Sequence, residues 1–271
     1  VRTHHGFVVP VVAPPERADV VVVPALGGKQ PPDVLAGLER PDVRDTCELL
    51  ARLAGRTRLA AACTGTFVLG QAGVLDAHRA TTSWWLAAAF RQRFPAVELA
   101  DGEMLVADRR VVTAGAALAH VDLALALVRD VSPDLASTVA RYLLIDHRPS
   151  QAQFAAPSHV VHDDDLVKRF ERWVRGHLGE PFELSRAARA VGASERTLQR
   201  RVRAVLGRSP IGFVQDLRLE QATHLLRVTR GSVETIAAAV GYEDGSTLRT
   251  LLRRRRQIGV RELRATSSAP R

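Results

Sequence analysis

The chain has 271 residues, 46% of them apolar, which is enough for two ordinary domains, each with its own core. Its formal net charge of +9 is unevenly spread: residues 166–271 hold 22 Lys/Arg against 10 Asp/Glu, and residues 1–165 hold 16 against 19. Charge suited to phosphate is thus confined to the C-terminal part, while two cysteines, Cys47 and Cys63, exclude a disulfide framework, and no apolar run reaches the ~18 residues of a membrane span.

From Val1, without a secretory signal, the segment Gly6 to Val12 reads as though the chain were already inside a sheet. Ala18 to Pro24, with four consecutive valines, predicts a strand buried on both faces of a parallel sheet, and Ala25-Leu26-Gly27-Gly28 predicts a tight turn at its end. Asp42 to Leu53 reads as an amphipathic helix stopped by Gly55, and Thr57 to Ala62 as a second buried strand. This alternation predicts a doubly wound α/β parallel sheet with ligands outside the C-terminal ends of its strands. Cys63-Thr64-Gly65-Thr66 follows the second strand and opens an apolar helix, Phe67 to Ala72. A cysteine there sits at a sharp turn on a helix N-terminus, which favours a thiolate; its bland reading is a small buried residue. Trp84-Trp85 is either core or the wall of a pocket for a cation. Val111 to Ala116 predicts a strand running into the helix Ala119 to Val128, and Val131 to Leu144 a helix capped by Ser132 with Pro133 in first position. His4, His5, His78, His120, His147, His159 and His162 have no metal-ligand spacing, so neither a metal site nor a cofactor is expected.

Ala61-Ala62-Cys63-Thr64-Gly65, Ala72-Gly73-Val74-Leu75-Asp76, Ala80-Thr81-Thr82, Trp84, Arg93-Phe94-Pro95 and Thr113-Ala114-Gly115 resemble the PfpI-like, class I glutamine amidotransferase-like domain of GlxA-type regulators. The resemblance spans about residues 1–155, and we take 1–148 as a sensor and dimerisation domain. It implies a ligand pocket around Cys63, Thr64, Gly27, Gly28, Ser83 and Trp84. Two departures bear on chemistry. Ser83 stands where the family usually has a histidine, so Cys63 lacks a visible base. The acidic residue that the related enzymes bring from the first strand and helix is also missing, as if a unit of about 40–60 residues were absent.

Asp146 to Asp165, polar and poor in helix, predicts a linker, placed at 149–165. Leu166 to Leu178 has one apolar face and opens the last domain, 166–264, followed by a disordered tail, 265–271. Within it a helix-turn-helix pattern is written twice. Ala187 to Gly192 reads against Ile236 to Gly241 at an offset of 49, and Thr197-Leu198 against Thr247-Leu248 at 50, so the second copy has one extra residue after its glycine. Ser194 predicts an N-cap, Leu198 and Val202 a buried stripe, and Arg196, Gln199, Arg200 and Arg203 an outward face able to pair with guanine and adenine edges. Gly212 to Val228 predicts a helix joining the copies and holding two recognition helices about one DNA turn, ~34 Å, apart. The run Arg253 to Arg256 is placed on the last amphipathic helix, as either a solvated face or a phosphate grip.

Ser194, Arg196, Leu198 and Arg200, then Arg218-Leu219, Ala222 and Leu225-Leu226, then Gly241-Tyr242, Asp244, Ser246 and Leu248 resemble the AraC/XylS DNA-binding domain over about a hundred residues. The resemblance puts base contacts at Arg196, Gln199 and Arg200, and further DNA contacts are expected at Ser194, Arg203, Ser246, Thr247, Arg249, Thr250, Arg253 and Arg254. Thr250, where an arginine is common, and Gln257-Ile258-Gly259-Val260, in place of Gly-x-Ser-Pro, imply that the second helix mainly grips the backbone.

Together the two halves imply a sequence-specific transcriptional regulator, not an enzyme. It would be cytoplasmic and nucleoid-associated, bind double-stranded DNA, and form a homodimer through its N-terminal domain. The expected partners are a small nitrogen-containing effector and, for an activator, RNA polymerase, with no membrane. The alternative is a thiol-dependent amidase or hydratase carrying a DNA-binding domain, against which Ser83 and the missing acid speak. A non-specific architectural protein is disfavoured by Arg196, Gln199 and Arg200.

Overall fold

The computed structural model describes residues 6–12, 17–146, 148, 150–156, 162 and 164–265. The chain divides into two compact units, the first of residues up to 83 with 93–149, the second of 84–92 with 150 onward.

The first unit is built on a four-stranded sheet. Its strands are β1 (Val20–Val23), β2 (Arg58–Ala62), β5 (Leu105–Asp108) and β6 (Val111–Ala114), in the order β1-β2-β6-β5. β1, β2 and β6 are parallel, with Val23 opposite Ala61 and Ala62 opposite Ala114. β5 returns antiparallel beside β6, so the sheet is mixed at that edge. A separate parallel pair joins β3 (Arg79–Ala80) to β4 (Glu98–Leu99). Between β1 and β2 lie α1 (Pro31–Leu38) and α2 (Pro41–Leu53); α3 (Gly65–Gln71) follows β2, and α5 (Ala119–Val131) and α6 (Pro133–Tyr142) follow β6; α4 (Ala87–Arg93), next in the chain after β3, falls with the second unit except for Arg93. The alternation of side chains along a strand sends Ala60 and Ala62 of β2, with Val112 and Ala114 of β6, to the face covered by Ala119 and Leu123 of α5. α3 also packs on β2, and it touches α1 and α2, so helices cover both faces as a doubly wound fold requires.

Two strand expectations are corrected. The valine run forms an edge strand: Val22 is 50% exposed and only Val23 is buried, because nothing pairs with the outer side of β1 among the described residues. Residues 6–12 form no strand, and Phe7, Val8 and Val12 are exposed. The helix α1 was missed although Pro31 at its first position is a start signal. Ser132 caps α6 as expected, its hydroxyl accepting from Leu135 N.

The second unit is helical: α7 (Asp165–Gly176), α8 (Leu184–Ala190), α9 (Glu195–Leu206), α10 (Pro210–Val228), α11 (Val233–Ala239), α12 (Gly245–Leu251), a π-turn over Leu252–Arg256, and α13 (Val260–Ala265). Two cores sit at the two ends of α10. Phe170, Leu198, Val202, Phe213 and Leu217 close the first, and Leu219, Ala222, Leu226, Ile236, Leu248 and Leu263 the second. The duplication is structural: α8 to α11 is an offset of 49 and α9 to α12 one of 50, and the turn glycines Gly192 and Gly241 have φ of 69° and 86°. Of the expected linker, residues 149, 157–161 and 163 lie outside the described residues. Ser150 and Gln151, within them, are buried, and Ala152–Phe154 forms one 3-10 turn. His4, His5, His147, His159 and residues 266–271 of the expected tail also lie outside. No helix among the described residues is long and apolar enough to cross a membrane.

Candidate functional site

The first candidate surface starts at Ser194. Its hydroxyl accepts from Thr197 N at 3.2 Å and fixes the start of α9, while Gly207 in the left-handed region ends it. Leu198 and Val202 are fully buried. Their burial turns Arg196, Gln199, Arg200 and Arg203 to solvent, within about 100° of the helix circumference. A basic, solvent-facing stripe on a capped helix can enter a major groove and pair with base edges.

The second surface is built on the same frame. Asp244 caps α12, its carboxylate accepting from Thr247 N at 2.8 Å, from the Thr247 hydroxyl at 3.1 Å and from the Ser246 hydroxyl at 2.5 Å. These donors, led by Ser246, hold the Asp244 pKa down at about 2. Because the folded pKa is depressed, the cap contributes at any pH above the ordinary carboxylate range and is lost only as pH falls toward 2. Ser246, Arg249 and Thr250 occupy the places that Arg196, Gln199 and Arg200 hold in α9, and all are exposed. Two of the three are engaged within the unit, however. Ser246 bonds Asp244, and Arg249 pairs with Glu234 of α11 at 2.9 Å. An exposed pair of this kind is weak, so Arg249 can be released to a phosphate. Sequence reasoning missed Glu234, whose place opposite Arg249 follows only from the packing of α11 on α12.

The arginine run does not act as one surface, which corrects the sequence reading, and α13 follows it as the last helix. Arg253 and Arg254 are exposed. Arg255 donates to Asp216 Oδ1 at 2.9 Å and to Gln215 Oε1 at 2.6 Å on α10. Arg256 is 5% exposed and donates to Ala152 O at 3.0 Å, to Asp216 O and to Ala155 O. Burial pulls its pKa down, and the nearby Asp216 carboxylate opposes that. Asp216, which also pairs with Arg208 at 3.0 Å, therefore ties the ends of both recognition units to the central helix. Replacing Arg253 and Arg254 by Gln should weaken binding to every duplex alike and lower the salt slope by roughly one per lost phosphate contact. Arg256→Ala should instead destabilise the unit by about 1–3 kcal/mol, since it strips partners from buried carbonyls. Salt titrations and thermal melts of the two variants separate these roles.

The cysteine lies on a strained elbow in the first unit. Cys63 has φ 56°, is 8% exposed, and its amide donates to Ala114 O of β6 at 2.9 Å. Gly65 makes the elbow possible, because a Cβ there would stand 2.6 Å from Val23 O. Thr82 donates to Cys63 O at 2.9 Å, and Ser83 Oγ to Cys63 Sγ at 3.0 Å. Thr64 accepts from Leu26 N at 3.0 Å, which anchors the loop that carries Gly27 and Gly28. Cys63, Thr64 and Ser83 thus come together, whereas Gly27 and Gly28 are exposed and Trp84 packs edge-on against Trp85 at 5.4 Å. The elbow is less open than a helix-end cysteine suggests. Its partner is a hydroxyl, which can stabilise a thiolate but cannot take a proton at neutral pH. A cleft of about 290 Å³ lies elsewhere in the unit, between Leu105, Asp122, Leu125 and Arg148, and no elbow residue lines it.

Residues 187–266 match the Helix-turn-helix domain model, and residues 8–130 match the DJ-1/PfpI family model. The chain is similar to the HTH-type transcriptional regulator CdhR of Pseudomonas aeruginosa, at 31% identity over 68% of this chain and 55% of that protein. It is also similar to the HTH-type transcriptional regulator GlxA of Rhizobium meliloti, at 27% identity over 78% of this chain and 67% of that one. Among solved structures, a transcriptional regulator with an AraC-type DNA-binding domain from Chromobacterium violaceum aligns with 39% of this chain and 95% of its own, at 29% identity and a TM-score of 0.38. The chain spans little more than half the length of the first curated relatives it matches.

Proposed function

We infer from the joining of a DJ-1/PfpI domain to an AraC-type helix-turn-helix domain in one chain that this is a sequence-specific DNA-binding transcriptional regulator. Its N-terminal domain senses a small nitrogen-containing molecule and dimerises, and the protein works in the cytoplasm. The observation that carries the reading is the pair of capped helices, α9 and α12, which present register-equivalent exposed side chains from a unit holding nearly all the excess positive charge. Arg196, Gln199, Arg200 and Arg203 are the proposed readers. Ser194, Ser246, Thr247, Arg249, Thr250, Arg253 and Arg254 hold the duplex. The effector pocket surrounds Cys63, Thr64 and Ser83, with the Gly27-Gly28 loop at its margin.

The sensing domain is proposed to be non-catalytic. No described histidine hydrogen-bonds to Cys63, and Ser83 stands at 3.0 Å where a base would be needed. Purified protein should turn over neither small amides nor isonitriles, and Cys63→Ser should leave binding to duplex DNA within about twofold of the parent, well under 1.4 kcal/mol. Turnover that disappears in the Ser variant would instead support the thiol-dependent amidase or hydratase reading.

A further inference from the structure

α6 is a ten-residue helix of which only Ala136 is buried. Its outer surface carries Leu135 at 53% and Tyr142 at 85% exposure, and flanking it are Val131, the last residue of α5, at 87%, and Leu143 and Leu144, just past its C-terminus, at 58% and 92%. Soluble chains rarely leave that much contiguous apolar surface to water unless something covers it. Leu135 and Tyr142 are seven residues apart with Thr138 between them, so the three form one stripe along the helix. Asp134 and Arg141 are also seven apart, exposed, and share one flank of that stripe; neither has an ion-pair partner among the described residues.

This pattern complements itself. When two copies of α6 lie antiparallel about a two-fold axis near Ser137 and Thr138, the same flank of each helix meets its counterpart. Asp134 then faces Arg141 of the other copy, and Arg141 faces Asp134, giving two opposite-charge pairs from one contact. Val131 at one end meets Leu144 at the other, and Leu135 lies only about 3 Å along the helix axis from the level of the other copy's Tyr142, within reach of that long side chain. A parallel arrangement would bring neither charge to its opposite. We propose that the exposed face of α6, with Val131, Leu143 and Leu144, is the homodimer contact, and that its occupant is α6 of a second copy of this chain. The inference rests on the proposed dimerisation through the N-terminal domain and adds the surface and its orientation.

Sedimentation equilibrium of the full chain over a concentration series tests it, with parent, Leu135→Asp, Asp134→Arg, Arg141→Asp and the double charge reversal compared. These positions are exposed, and circular dichroism melts would verify that each variant is folded. The parent should be dimeric. Leu135→Asp and each single reversal should raise the dimer dissociation constant tenfold or more, and the double reversal should return it to within about threefold of the parent. A parent dimer untouched by these changes would overturn the α6 contact and leave the dimerisation reading standing. Single reversals that weaken the dimer without rescue by the double would overturn the antiparallel pairing. A parent that is monomeric at every concentration would overturn the dimerisation reading and this inference with it.

Discussion

Gly241→Ala should come close to unfolding the helical unit, whereas Gly192→Ala, at the equivalent place in the other copy, should be mild. Both glycines hold positive φ, so either substitution carries the ~1–2 kcal/mol of a left-handed alanine. Their surroundings differ. A Cβ at Gly192 meets nothing within 4 Å, but one at Gly241 would stand 2.5 Å from Leu178 O and 2.7 Å from Arg218 Nη2. Neither neighbour can yield cheaply. Arg218, 7% exposed, is held by bonds to Leu178 O at 3.0 Å and Glu180 O at 2.5 Å and lies over the Tyr242 ring. Strain and overpacking together cost roughly 3–5 kcal/mol, a large part of the 5–15 kcal/mol by which such domains are stable. Thermal unfolding should show a drop of at least about 15 °C for Gly241→Ala and under about 10 °C for Gly192→Ala. Equal shifts would mean that Gly241 is not packed against the turn after α7.

The second large effect concerns reading. Gln199→Ala or Arg200→Ala should each cost about 1–3 kcal/mol on a preferred duplex and much less on a scrambled one. Both side chains are exposed on a helix that their own removal does not destabilise, since the core contacts of α9 are made by Leu198, Val202 and Leu206. The corresponding change at Thr250 should matter less, because α12 offers shorter side chains and holds Ser246 and Arg249 in internal bonds. Fluorescence anisotropy on both duplexes gives the answer. Equal losses on specific and scrambled DNA would place the reading elsewhere.

How much of this was legible in the sequence depended on how local each signal was. The cap at Ser194, the buried stripe of α9, the glycine turns and the one-residue insertion between copies are set by neighbours a few positions apart, and they read directly. So did the elbow at Cys63, since a buried strand running straight into a glycine-containing helix start admits few conformations. The edge position of β1 was not legible: four valines look the same in a central strand as at an edge, and only pairing with distant strands decides. β5 was missed because it is short and turns into β6 through Arg109-Arg110, with Arg109 at φ 51°, in place of the usual asparagine and glycine. The arginine run did carry an unused signal. At 3.6 residues per turn four consecutive side chains spread over about 300° of a helix, so they could not all have faced the same way. That Asp216 and the carbonyls of Ala152 and Ala155 would receive two of them depended on contacts 39 or more positions away in the chain.

We propose that α9 and α12 serve one duplex together. It is tested most directly by hydroxyl-radical and guanine-methylation footprinting of the parent chain on a preferred site selected from random duplexes. Protection of two successive major grooves on one face of the DNA, about one turn or ~34 Å apart, is expected for each helical unit bound. Arg200→Ala should remove the guanine protection in one of those grooves only. Selection that returns no preferred site, or protection of a single groove that Arg200→Ala leaves unchanged, would contradict it.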